Sequence, residues 1–165
     1  MPEPLKFHFD VDGDNFTSAG AASVEVKRKL RQLGFDAETI RRVSIAMYEG
    51  EINMVVHARG GSADVLVDKD SITIILADSG PGIPDIDLAM QEGYSTAPDN
   101  IRALGFGAGM GLPNMKKYTD EFKIDCLLWM LFHGKNLTAG ANGLEWNGKQ
   151  WSLVNHFIPF TEAEV

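Results

Sequence analysis

The sequence predicts an α+β fold, with helices on one face of a largely antiparallel sheet. Three observations lead there. Leu5 to Val11 alternates apolar and polar residues, as a half-buried strand does. Ala63 to Val67 and Ser71 to Ala77 are β-rich and separated by only Asp68-Lys69-Asp70, a hairpin-like connection. Helical apolar spacing fills the interval between them, so the element order becomes β, α, α, β, β, long loop, α, β.

Each element has a local reason. Leu5, Phe7 and Phe9 fall on one side of the first strand, and Lys6, His8 and Asp10 on the other. Asp12-Gly13-Asp14-Asn15 is a turn. The first helix is expected over 18–33, with Gly34 as its stop. Asp36 is an N-cap for a second helix over Ala37 to Ala58, closed by Gly60-Gly61. After the hairpin, Asp78-Ser79-Gly80-Pro81-Gly82 breaks the chain abruptly. Residues 83–108 read as a long loop with a short helix near Ile86 to Gln91, and a loop of that length in a compact domain is usually functional. A helix over Met110 to Tyr118 and a strand over Glu121 to Cys126 follow.

Composition narrows the function. A chain of 165 residues is one ordinary domain. Its formal net charge is −8, and no run of Lys or Arg supplies a basic patch, so nucleic acid is not expected as a partner. The single cysteine, Cys126, excludes an internal disulfide and a multi-Cys zinc site. The longest apolar run, Cys126 to Phe132, is far short of the roughly 20 residues that cross a bilayer, and the start carries no recognisable signal peptide. A cytoplasmic setting without membrane contact is the expectation. Residues 126–165 carry 5 of the 38 charged side chains and all three tryptophans. They read as a segment that completes or is appended to the domain formed by 1–125. Within them, Asn147-Gly148 suits a turn and Trp151 to Phe160 a strand.

Three elements could carry chemistry. Glu49 and Asn53 are four apart and share a helical face, with His57 one turn further along. A carboxylate and a carboxamide stacked this way can offer oxygen ligands to Mg²⁺ or a base to a hydroxyl. His57 reads as a helix-end residue rather than a ligand, and Glu51, off this face, is expected to be solvated. Asp78, at a strand end before Gly80 and Gly82, can accept hydrogen bonds from a ligand amine while the glycines permit close approach. Gly105, Gly107, Gly109, Met110 and Gly111 lead into a helix, where backbone N–H groups and the helix dipole can meet an anion. The spacing is neither a Walker A nor a Rossmann fingerprint. Taken singly, the three also fit an exposed polar stripe, a tight turn and a flexible loop.

Their order and spacing together resemble the nucleotide-binding core of the GHKL superfamily, over roughly residues 5–125. The stretch Ala46-Met47-Tyr48-Glu49-Gly50-Glu51-Ile52-Asn53-Met54-Val55-Val56-His57-Ala58 is similar to the matching helix of the anti-sigma factor and serine-protein kinase family (the SpoIIAB, RsbW and RsbT type). Asp78 to Pro84, Glu92-Gly93-Tyr94-Ser95-Thr96 and Gly109-Met110-Gly111-Leu112-Pro113-Asn114 look most like the RsbT-type switch kinases. The resemblance implies the histidine-kinase-like (Bergerat) ATPase fold, a two-layer α/β sandwich with a mostly antiparallel mixed sheet. It further implies that Asn53 holds Mg²⁺, Glu49 takes the proton of a serine hydroxyl, and Asp78 accepts from the adenine amino group. Gly80 and Gly82 would pass under the base, the 105–111 loop would bind the phosphates of ATP, and residues 84–108 would form a lid. The implied partner is a small STAS-type anti-sigma antagonist or a sigma factor, and a homodimer is expected from relatives. One departure stands out. The family closes its sheet through a Gly-x-Gly-Thr turn whose Thr supports the adenine-binding Asp, and no Gly-Thr pair follows Phe122 here.

The leading expectation is therefore a serine/threonine protein kinase. The alternative is an ATP-dependent binding module that sequesters or switches a partner without phosphotransfer. A histidine kinase catalytic domain is disfavoured, since no dimerisation helix with a phosphorylatable histidine is recognised and His8 falls in a strand.

Overall fold

The computed structural model describes residues 3–124 together with the strands Leu128–His133, Leu144–Trp146 and Trp151–Leu153. The elements are β1 (Leu5–Asp12), α1 (Ala21–Gln32), α2 (Ala37–Ala58), β2 (Gly60–Val67), β3 (Ser71–Ala77), α3 (Ile86–Ala89), α4 (Asp99–Ala103), α5 (Gly111–Tyr118), β4 (Glu121–Ile124), β5 (Leu128–His133), β6 (Leu144–Trp146) and β7 (Trp151–Leu153). Five strands form one sheet in the order β1-β2-β3-β5-β4, and every pairing among the described residues is antiparallel. The expected α+β layering is observed.

Strand alternation builds the core. The registers Leu5↔Val67, Phe7↔Val65 and Phe9↔Ala63 continue into Val67↔Ile72, Val65↔Ile74 and Ala63↔Leu76, giving apolar rows across three strands. Apart from the exposed Leu5, these rows, with Phe122 and Ile124 of β4, pack against the helices. Helix α1 contributes Ala22, Val26 and Leu30, spaced by four along one face, and α2 contributes Ile40, Val43, Met47 and Met54. The β2–β3 turn is fastened by Asp68, whose carboxylate accepts from the Asp70 and Ser71 N–H groups at 2.8 Å each and from the Ser71 hydroxyl at 2.9 Å.

Helix α2 is the spine of the molecule, about 33 Å long at 1.5 Å per residue. It starts where Asp36 was expected to cap it: the Asp36 carboxylate accepts from the Thr39 N–H at 2.9 Å and the Thr39 hydroxyl at 2.6 Å. These bonds, the hydroxyl's first, hold the Asp36 carboxyl below its ordinary pKa. The C-terminal end differs from expectation. Arg59, not glycine, takes the left-handed conformation (φ 59°) and returns its N–H to the Met54 carbonyl. Gly60 and Gly61 then already belong to β2, paired with Asp12 and Val11.

Other boundaries move for local reasons. Helix α1 starts at Ala21 rather than 18, because Asn15 draws the Thr17 N–H to its side chain and the Ser18 N–H to its carbonyl, and Gly20 sits at φ 95°. The long loop contains the expected short helix, α3, and an unexpected one, α4. The strand after α5 is described to Ile124, and Leu128–His133 then enters the sheet between β3 and β4. The strand expected over 151–160 is described only as Trp151–Leu153, paired with Leu144–Trp146; the expected turn at Asn147-Gly148 lies outside the described residues. Among the described residues, no helix is long and apolar enough to cross a membrane.

Candidate functional site

The site forms where the C-terminal half of α2, the end of β3 and the start of α5 converge. Glu49 and Asn53 lie half-buried on α2. Both are met by the first turns of α5. The Asn114 side-chain amide donates to Glu49 Oε1 at 2.9 Å. The Asn53 amide nitrogen lies 3.8 Å from the Met115 sulfur, a weak acceptor. Gly111 passes so close that a Cβ there would stand 2.9 Å from Asn53 Oδ1. Met115 is fully buried and fixes the rotation of α5 against α2.

That close packing depends on Gly50, the neighbour of Glu49. A Cβ at Gly50 would lie 2.2 Å from Leu76 Cδ1 and 3.2 Å from Met115 Cε, so the missing side chain lets α5 and β3 close beneath Glu49.

Asp78 follows the last residue of β3 and is exposed. Its Oδ1 accepts from the Gly80 N–H at 2.8 Å, so the turn itself orients the carboxylate. Gly80 presses on α2: a Cβ there would come within 2.7 Å of Ala58. Gly82 has φ 78° and stands in open space.

The glycine-rich segment divides by role. Gly105 is the stop of α4, returning its N–H to the Arg102 carbonyl at 2.9 Å with φ 91°. Gly107 packs on Ala97 inside the loop. Gly109 has φ 76°, and its carbonyl accepts from the Gly93 N–H at 2.9 Å; a Cβ there would strike the Gly93 and Tyr94 backbone. Met110 is the N-cap residue of α5 and Gly111 its first residue. Pro113, in the first turn, has no N–H, so the Gly111 and Leu112 amides are the donors at this helix start. The structure thus brings Glu49, Asn53 and Gly111 together, places Asp78 and Gly80 at the other end of the same α2 segment, and gives Gly105, Gly107 and Gly109 work within the loop's own architecture.

The sequence profile of the histidine kinase-like ATPase domain matches residues 15–126. The chain belongs to that family. Among curated relatives, the ATPase domain is 34% identical over 99 residues to the serine/threonine-protein kinase RsbT of Bacillus subtilis (strain 168), covering 58% of this chain and 68% of that protein. It is 34% identical over 111 residues to an anti-sigma F factor of Clostridium novyi (strain NT), covering 63% and 73%. A further anti-sigma F factor, from Clostridium acetobutylicum, is 29% identical over 126 residues, covering 73% and 81%.

One expectation about the ATPase domain is corrected. Glu51 is not solvated; it is 3% exposed. Its Oε1 accepts from the Ala22 N–H at 3.1 Å and its Oε2 from the Ser23 N–H at 3.0 Å. Gly20, the N-cap of α1, has no side chain to cap the helix, and Glu51 supplies the missing acceptors from α2. His57 stays exposed, with shielding by nearby protein lowering its pKa from 6.5 and favouring the neutral ring.

Three residues of the ATPase domain's site were not read as such from sequence: Asn114, Gly50 and Met115. Asn114 and Met115 stand next to the glycine motif, but only the packing of α5 on α2 connects them to Glu49 and Asn53. Among the described residues, no group of three or more His, Cys, Asp or Glu side chains could hold a metal ion. Asn53 offers a carboxamide oxygen, which suits a hard cation that takes its other ligands from phosphates and water.

Proposed function

We propose that this chain is a Mg·ATP-dependent serine/threonine protein kinase of the anti-sigma type, acting on a small STAS-like regulatory protein in the cytoplasm. The observation that carries the reading is the meeting of Glu49 and Asn53, on one face of α2, with the α5 turn that follows the glycine-rich loop. In this reading residues 1–125 are the nucleotide-binding unit, which 126–165 complete or extend.

Asp78 accepts from the adenine amino group through the oxygen not used by Gly80, which selects ATP over GTP. Gly80 and Gly82 leave room for the base. The Gly111 and Leu112 amides, with the loop through Gly105, Gly107, Gly109 and Met110, face the phosphates. Asn53 would hold Mg²⁺ through its oxygen, and the ion would supply charge neutralisation for the triphosphate. Glu49 accepts the proton of the serine hydroxyl as the serine oxygen bonds to the γ-phosphorus. The bond from that phosphorus to the β–γ bridging oxygen breaks, and ADP leaves with the electron pair. Transfer of this kind rests on positioning and charge stabilisation, which this frame of backbone dipoles suits.

The test has two stages. Mg·ATP at ~100 times Kd should stabilise the protein by about 2.7 kcal/mol, read as a thermal shift. Asp78→Asn and Asn53→Ala should lose that shift. Labelled ATP is then offered with a panel of purified STAS-domain proteins: Glu49→Ala should keep the thermal shift and lose transfer to serine. ATP binding without transfer by the wild type would replace the kinase reading with that of a nucleotide-gated binding module, in which a sigma factor is sequestered. Light scattering with and without ATP tests the homodimer.

A further inference from the structure

We propose that Asn114 is a positioning residue for Glu49: its amide holds one carboxylate oxygen so that the other faces the hydroxyl to be deprotonated. The inference rests on the reading of Glu49 as the base. The Asn114 Nδ2 to Glu49 Oε1 distance is 2.9 Å, and an ionised carboxylate can only accept, so the amide nitrogen is the atom that must face it. A free glutamate on a helix samples several rotamers. Here one oxygen is engaged by a donor from another helix, which removes that freedom before substrate arrives.

The donor itself is rigidly mounted. Asn114 lies in α5 directly before Met115, which is fully buried against α2, and its N–H makes the helix bond to the Met110 carbonyl at 2.9 Å. The absence of a side chain at Gly50 lets the two helices approach closely enough for the bond. One short helical segment therefore presents the Gly111 and Leu112 amides at its start and, from the next residues, fixes the base. Phosphate and base are referred to the same rigid body.

The experiment compares Asn114→Ala, Asn114→Asp and Glu49→Ala in the full chain. Single-turnover loss of the γ-phosphate from Mg·ATP is followed with the STAS-domain acceptor and, separately, with water as acceptor. ATP affinity is measured alongside. Asn114→Ala should slow turnover ~10- to 100-fold at saturating ATP, with the ATP dissociation constant unchanged. Asn114→Asp keeps the volume but replaces the donor with an acceptor, so it should be at least as slow. A packing role would instead leave Asn114→Asp near wild type, and that result would overturn the proposal. Slowing matched by an equal loss of ATP affinity would also overturn it. If Glu49→Ala turns over normally, or the wild type does not turn over at all, the base reading itself fails. The bond has its own readout: the Asn114 side-chain amide resonances should move on Glu49→Ala, and resonances that stay in place would mean that the bond is not made.

Discussion

Glu51 of α2 and Ser23 of α1 are joined by a buried hydrogen bond of 3.0 Å, in which a carboxylate in mid-helix closes the N-terminus of a different helix. Removing the acceptors leaves the Ala22 and Ser23 N–H groups buried and unpaired. Glu51→Ala should therefore destabilise the fold by about 2 kcal/mol, and Glu51→Gln, which keeps one acceptor, by less. Urea unfolding measures both. Glu51→Ala as stable as the wild type would show that the two capping bonds contribute nothing to stability.

Gly50→Ala puts a methyl group where Leu76 and Met115 already sit. Leu76 is 2% exposed and has nowhere to turn. The expected cost is about 1–3 kcal/mol, from overpacking. Because the added carbon wedges α5 from α2, the Asn114 amide resonances should shift too. A variant as stable as the wild type would show that the core relaxes around the methyl group.

The rings of Phe16 and Phe106 lie 6.0 Å apart, tilted by 33°, so the β1–α1 loop touches the glycine-rich segment. Such a pair contributes ~0.5–1.5 kcal/mol. Phe106→Ala should speed protease cleavage within residues 95–110 and hasten release of a fluorescent ATP analogue. Unchanged cleavage would mean that the segment is held by Arg102, which donates to the Ala97 and Ser95 carbonyls at 3.0 and 2.7 Å, and not by the rings.

His8 gives a small pH dependence with a definite sign. Its hydrogen bond to Asp64, at 2.7 Å, and then that to Asp10 raise its pKa above 6.5. A raised folded-state value means that the contribution is fully present below about pH 6.5 and is lost as pH rises through the folded pKa. The stability difference between wild type and His8→Gln should shrink as pH rises from below about 6.5 through the folded-state pKa. The ring is exposed, so added salt should also reduce it. A difference that grows with pH would refute the assignment.

Much of the frame was legible because it rests on short-range signals. Alternation gave β1, Asp36 gave the start of α2 to the residue, and the Asp68-Lys69-Asp70 turn gave the β2–β3 hairpin. The candidate site residues were legible as motifs in order along the chain. Contacts across elements were not. Nothing local marks Glu51 as buried, because its acceptor role depends on Gly20, 31 positions earlier, leaving α1 uncapped. Asn114 ends the motif that runs from Gly109, yet its partner lies 65 residues away. Nothing local in the glycine run marks Gly105 as also the stop of α4, a helix that only the structure reveals.

The insertion of β5 between β3 and β4 bears on how the protein emerges during synthesis. By the time position 124 has left the ribosome, α2 and the paired strands β1, β2 and β3 exist in full, but the far edge of β3 has no neighbour. Among the described residues, strand β4 joins the sheet through residues 128–133. The candidate site residues are thus all made before the strand that joins β4, next to α5, to the sheet. A nascent chain stalled just past 124 would carry every candidate residue on an unfinished sheet whose open β3 edge invites pairing with another chain.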